Sequence, residues 1–335
     1  MKSILFLLAV AWGLLAHPAY SEMVMTVNGP IAPQDMGTTL PHEHLLVDFI
    51  GADSTGYHRW DKAEVIENVL PYLLEIKPYN VATFIDCTPA YLGRDPILLK
   101  RLSEQSGISI LTPTGYYGAR NNIFVPEHAY HDTVEELAAR WIAEWENGIE
   151  ATDVRPGFIK IGVDANETLT PIQEKIVRAA CRTHLVTGLT IVSHTGPEHA
   201  VYDQLRVLKE EGVSPTAFVW THAQHGSPEA HVEMAQKGVW ISLDNTSADS
   251  ARVEQRVAQL QNLKTHGLLD HVLISHDAGW YRPGEPDGGR FRGFTSLFTH
   301  LLPKLRAQGF QENEIEWMMV QNPQRAFAIR IQRQP

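Results

Sequence analysis

Short apolar runs recur along the chain at 38–45, 81–88, 109–117, 157–164, 190–195, 217–223, 239–245 and 272–278. Between most neighbours lies a stretch long enough for a helix. Residues 62–76 bring Val65, Ile66, Val69, Leu70 and Leu73 to one helical face, with Pro71 expected to kink the segment. Segment 132–146 opens on Asp132 or Thr133 as a cap and carries Val134, Leu137, Trp141 and Trp145 at helical spacing. Segments 170–187 and 229–237 read similarly, and the Met and Trp residues of 315–320 should pack a last helix on the core. Strands and helices alternating in this way predict an α/β fold, a (β/α)8 TIM barrel with its chemistry at the carboxyl ends of the strands.

A barrel of this type takes about 250 residues. The chain has 335, enough for one such domain with long loops and a removable leader. Its opening has a lone positive residue, Lys2, an apolar stretch from Ile4 to Leu15, and small residues at Ala19 and Ser21, the layout of a cleaved signal peptide. The apolar stretch is shorter than the roughly 20 residues of a membrane-spanning helix. Residues 1–21 are therefore expected to be removed after Ser21, leaving 22–335 as a single exported, periplasmic domain without lasting membrane insertion. The 28 basic and 39 acidic residues leave a net charge of −11, and losing Lys2 deepens it. That sign argues against a nucleic-acid partner. Self-association as a homodimer is the one protein partnership left open. Cys87, in a predicted strand, and Cys181, in a predicted helix, should both be free and buried.

Candidate chemistry starts at Pro41-His42-Glu43-His44. Positions two apart on a strand face the same way, so His42 and His44 would both point into the barrel mouth. Such a pair is a weak signal in a chain with 16 histidines, but His194 and His222 stand at equivalent strand ends and Asp277 closes the eighth run. Four imidazoles and a carboxylate on one rim suit divalent transition metals. Lys160 lies in mid-strand, where an ammonium would repel two dications. A lysine carbamate would instead offer them two anionic oxygens. The plainer reading pairs Lys160 with Asp164 or another acid at the barrel mouth. The pleat should turn His276 away from the metals, and His58, His128, His131, His199, His225 and His231 read as solvated loop or helix-end residues. Cys87, Arg94 and Asp244 lie near the mouth, where they shape the pocket or support it.

From NGPIAPQDMGTTLPHEHLLVDF, beginning at Asn28, to VQNPQRAF, ending at Phe327, the chain resembles the phosphotriesterase family of the amidohydrolase superfamily. The resemblance implies two divalent metal ions, with His42, His44 and Asp277 on the more buried one and His194 and His222 on the more exposed. N6-carboxylysine at Lys160 would bridge them together with a hydroxide. The donor set favours zinc. Two dications against the three negative charges of Asp277, carbamate and hydroxide leave one positive charge to polarise a carbonyl or phosphoryl oxygen. Asp277 is then the natural acceptor for the proton released on attack.

Substrate choice is less legible. Tyr117 matches a tyrosine that family lactonases place over the metals, which favours a carboxylic ester or lactone over an organophosphate ester. Asn245 stands where those lactonases commonly have arginine, which cuts the other way. Trp280 and Tyr281, in the loop at 279–292, read equally well as pocket wall and as packing. The alternatives are an amide or phosphodiester hydrolase on the same site, or a metal-binding barrel without turnover.

Overall fold

The computed structural model describes residues 22–334, and the leader read at 1–21 lies outside the described residues. The apolar runs become parallel strands: β1 Thr38–Leu46, β2 Val81–Asp86, β3 Ser109–Leu111 continued by Pro113–Thr114, and β4 Phe158–Gly162. After them come β5 Ile191–His194, β6 Phe218–Thr221, β7 Trp240–Leu243 and β8 Val272–Ile274. Strands adjacent in sequence pair in space, in the order of a (β/α)8 barrel. Almost every strand residue is buried, because helices cover the outside and side chains fill the inside.

Two strands close the ring by splitting. Ser109–Leu111 pairs with β2, while Pro113–Thr114 pairs with β4. At the other seam β8 pairs with β7, and Gly279–Tyr281 then pairs with β1. Asp277 N donates to His42 O at 3.0 Å, and His44 N donates to Ala278 O at 3.0 Å. Closing the barrel therefore delivers Asp277 beside both histidines of β1.

Alternation along β4 sorts its side chains. Ile159 and Ile161 join the core between strands and helices, and Phe158 faces the barrel interior. Lys160, two residues on, shares that interior face. Below the site, Ile85, Leu111, Phe158, Val192, Val219 and Leu273 pack with Met36 and Phe327 into a solid floor.

The helices begin where the caps predict. Asp61 caps Lys62–Glu75, which runs on for a turn beyond Pro71. Thr133, not Asp132, caps Val134–Asn147 in a reciprocal box with Glu136, and Thr170 does the same with Gln173 for Pro171–Thr187. Each such cap contributes about 1 kcal/mol. Near the carboxyl terminus Met318 and Met319 are buried as expected, whereas Trp317 is 36% exposed. Cys87 and Cys181 are free and buried. Among the described residues no helix is long and apolar enough to cross a membrane.

Candidate active site

A cavity of about 650 Å³ opens at the carboxyl ends of the strands, lined by His42, His44, Tyr117, Lys160, His194, His222 and Asp277 among others. β1 supplies the first two histidines, β4 the lysine and β5 His194. His222 and Asp277 lie just beyond β6 and β8, with φ of 58° and 51°. Left-handed backbone costs a non-glycine residue on the order of 1–2 kcal/mol. Here it turns each side chain over the barrel mouth.

The ring orientations are set from behind. His42 Nδ1 donates to Asp244 Oδ2 at 2.8 Å, and His222 Nδ1 donates to Asp244 Oδ1 at 2.6 Å. Both rings therefore present Nε2 to the cavity. His44 Nδ1 lies 2.8 Å from Thr88 Oγ1, and its Nε2 lies 3.2 Å from Asp277 Oδ1. His222 Nε2 faces His194 Nδ1 at 2.7 Å, so two ring nitrogens converge on one point.

Charge follows from this packing. Burial, reinforced by Lys160, lowers the His42 pKa to about 4, so the imidazole is neutral, the form a metal ion requires. Burial and the neighbouring His222 push His194 well down as well. Burial pulls His222 the same way, but the Asp244 carboxylate prevails and its pKa is raised. Burial disfavours ionised Asp244, yet His222 and His42 hold it well below the usual carboxylate range. Asp277 is also lowered, since its bond to His44 and the surrounding histidines outweigh the cost of burial.

Lys160 is 1% exposed, with Nζ 3.4 Å from His42 Nε2. Among the described residues it makes no ion pair. Asp164, the alternative partner, instead accepts from Gln173 Nε2 at 2.8 Å and from Asn121 N at 3.2 Å. The ion pair with an acid at the mouth, the plainer expectation for Lys160, is therefore not formed among the described residues. The donor atoms of His42, His44 and Asp277 lie within 4.8 Å of one another, compact enough for one ion. Asp244 also falls within such a group with His42 and His222. Both its oxygens are taken by ring N–H groups, the arrangement that orients histidine ligands rather than adding one.

The Tyr117 ring packs 5.0 Å from the His194 ring and 5.8 Å from Phe124. Gly162 makes room for it, since a Cβ there would come within 3.0 Å of the phenol ring. Burial and the Asp277 charge push the phenol pKa up, so Tyr117 stays a neutral donor.

Glu43 went unnoticed in the sequence. It is fully buried, and Oε1 accepts from Ser275 Oγ at 2.7 Å, His276 N at 2.9 Å and His276 Nδ1 at 2.6 Å. Oε2 accepts from Ala278 N at 2.9 Å. The carboxylate thus locks the seam between β1 and β8 and keeps His276 turned away from the cavity. Its signal was the pleat, which points the residue between His42 and His44 to the opposite face.

One expectation needs correction, and several left open are decided. His231 is buried rather than solvated, and its Nε2 donates to Ala223 O. Arg94 does not line this cavity. Its guanidinium is buried in a pair with Glu144, at 2.6 and 2.8 Å, and donates to Pro113 O. Cys87 is buried outside the cavity lining. Tyr281 is a packing residue whose hydroxyl donates to Glu64 at 2.7 Å, while Trp280 is cavity wall. Asn245 accepts from Arg252 Nη1 at 2.8 Å, so a guanidinium reaches this corner from the following helix.

Comparison with known proteins sets this geometry in context. Residues 22–327 match the model of the Phosphotriesterase family. The "Phosphotriesterase homology protein" of Escherichia coli (strain K12) is 31% identical over 294 residues, 87% of this chain and 98% of its own. The "N-acetyltaurine hydrolase" of Danio rerio is 24% identical, covering 90% of this chain and 97% of its own. A mutant of the organophosphorus hydrolase from Deinococcus radiodurans superposes with a TM-score of 0.81 at 27% identity, covering 91% of this chain and 97% of that one.

Proposed function

Because the chain belongs to the phosphotriesterase family, we propose that it is a binuclear metal-dependent hydrolase that cleaves a carboxylic ester or lactone in preference to an organophosphate ester. The observation that carries this reading is the convergence of His42, His44, Lys160, His194, His222 and Asp277 on one cavity. His42, His44 and Asp277 would hold the inner ion, His194 and His222 the outer one, and carbamylated Lys160 would link them. Two divalent ions, zinc on this donor set, would acidify a water and polarise the scissile group.

The protein's own groups supply the rest. Asp244 fixes the tautomers of His42 and His222 with Nε2 bare, and Thr88 orients His44. Asp277, kept ionised, can take up at Oδ2 the proton released during attack. Neutral Tyr117 can donate a hydrogen bond to a substrate oxygen, which suits the planar carbonyl of an ester. Leu92 and Trp280 give the cavity an apolar wall against which the carbon skeleton of a substrate can pack. A second reading, amide hydrolysis, draws support from the relative named for N-acetyltaurine, since amides and esters present the same carbonyl.

Elemental analysis of protein purified without chelators should find two metal ions per chain. Comparing kcat/KM for lactones, aryl esters, N-acyl amines and a dialkyl aryl phosphate on one preparation tests the substrate order. A phosphotriester preferred by more than about tenfold, or about 1.4 kcal/mol, would reverse it. Export belongs to the same proposal, and an intact mass from the native host should begin at Glu22. A soluble cytoplasmic protein retaining residues 1–21 would overturn that part.

A further inference from the structure

The cavity above the histidines adjoins a second one of about 480 Å³. The two share His194, His222, Asp277 and one residue outside the proposed ligand set, Arg120. Resting on the hydrolase reading above, we infer that Arg120 is an anion subsite. The substrate then carries, apart from the bond cleaved, a carboxylate or sulfonate.

Arg120 differs from the other arginines of the larger cavity. Arg59 is paired with Asp48 at 3.1 Å, and Arg282 with Glu285 at 3.4 Å. Arg120 makes no ion pair among the described residues. Its guanidinium lies 5.4 Å from the ring centre of Phe49 and 5.8 Å from that of Phe124. Arg120 is exposed at the mouth, and its planar fork of N–H donors, which has no side-chain acceptor among the described residues, fits a carboxylate or sulfonate.

The loop that presents this side chain is fixed. Arg120, Asn121 and Asn122 have φ of 59°, 57° and 62°, three left-handed residues in succession. Gln173, fully buried, donates to Gly118 O at 2.9 Å on one side of Arg120 and to Asn122 Oδ1 at 3.3 Å on the other. Asp164 accepts from Asn121 N and from Gln173, tying the same loop to the end of β4. The held backbone has little freedom of its own to lose on binding, which leaves only the exposed Arg120 side chain to be ordered. The chain as a whole carries −11, so an anionic substrate approaches against the mean field. A guanidinium at the mouth that makes no ion pair among the described residues offers a local positive charge against that mean field.

The test pairs two esters of equal chain length on zinc-loaded protein, 4-nitrophenyl hexanoate and 4-nitrophenyl 5-sulfopentanoate. The parent should favour the sulfonate by about tenfold in kcat/KM, the scale of one charge-assisted hydrogen bond. Arg120→Gln should abolish that preference, chiefly through KM, and Arg120→Glu should invert it. A ratio that is the same in parent and variants, or two esters that lose equally, overturns the subsite. Binding of butane-1-sulfonate, whose oxygens are weak zinc ligands, is measured in parallel by calorimetry without turnover. Binding lost in Arg120→Gln upholds the subsite even if no acyl substrate is hydrolysed, a result that would count against the hydrolase reading alone. Equal binding to both proteins overturns the subsite even if esters are cleaved.

Discussion

The carboxylate of Asp244 accepts the Nδ1 proton of His222 at 2.6 Å. Its other oxygen accepts from His42 at 2.8 Å, so one side chain sets two rings at once. Arg256 Nη2 grips the Asp244 carbonyl at 2.6 Å, and Gln224 Nε2 donates to Oδ1 at 2.8 Å, so the aspartate is itself held. In Asp244→Asn the amide keeps one acceptor and turns an NH2 toward the second ring. Metal affinity should fall by about 10–100-fold, as for other outer partners of histidine ligands. Chelator competition measures it, and an unchanged affinity would mean that the rings are positioned by other contacts.

Lys160→Ala should lose both metal and activity, because the amine proposed above to form the anionic bridge would be gone. Short carboxylic acids should enter the vacated space and restore part of each. The readouts are metal content and ester turnover with and without added acetate or propionate. Retention of two ions and parental turnover without additives would make Lys160 a structural residue.

Gly162→Ala probes the seating of Tyr117. The new Cβ would come within 3.0 Å of the phenol ring and 3.3 Å of His194 Cβ, which forces one of them to shift. Overpacking of this kind costs about 1–3 kcal/mol of stability. The fall in kcat/KM for acyl substrates should be about tenfold or more, since small misplacements at a reacting centre are costly. Tyr117→Phe provides the comparison. Parental kinetics in both variants would remove Tyr117 from the chemistry.

His184 links stability to pH at a distance from the site. Its Nδ1 donates to Leu189 O at 2.9 Å, and its Nε2 accepts from Gln332 N at 2.9 Å, nearer than Gln332 O at 3.3 Å, an arrangement that suits the neutral ring. Burial lowers its pKa below the ordinary 6.5. Since the folded state disfavours the protonated ring, the contribution is complete above pH 6.5 and is lost as pH falls from there toward the lowered folded value. Urea unfolding of the parent at pH 7.5 and 5.5 should show a loss of stability that is smaller in His184→Leu. Equal losses in the two proteins would refute the linkage.

The shared face of His42 and His44 and the inward face of Lys160 were legible because strand alternation is a local rule. Positions two apart share a face wherever the strand later sits. Helix starts were readable for a similar reason, since Thr170 and Gln173 satisfy donors within their own first turn.

What the residues beside those positions do was not legible. Arg94 reads as a mouth residue until Glu144, fifty positions away, is brought against it. His231 reads as surface until its helix packs it under Ala223. Trp280 and Tyr281 are adjacent and chemically alike, yet one lines the cavity and the other reaches Glu64.

The sequence by itself determined the order of strands and helices, the barrel and the faces of the strand-borne candidate residues, because each depends on periodicity over a few positions. Only the tertiary structure decided that Glu43 would lock the closing seam, that Asp244 would hold two histidines from separate strands, and that Arg120 would make no ion pair among the described residues. Those outcomes depend on burial and on charge pairing between segments far apart in the chain, and no local pattern encodes a distance that only ring closure creates.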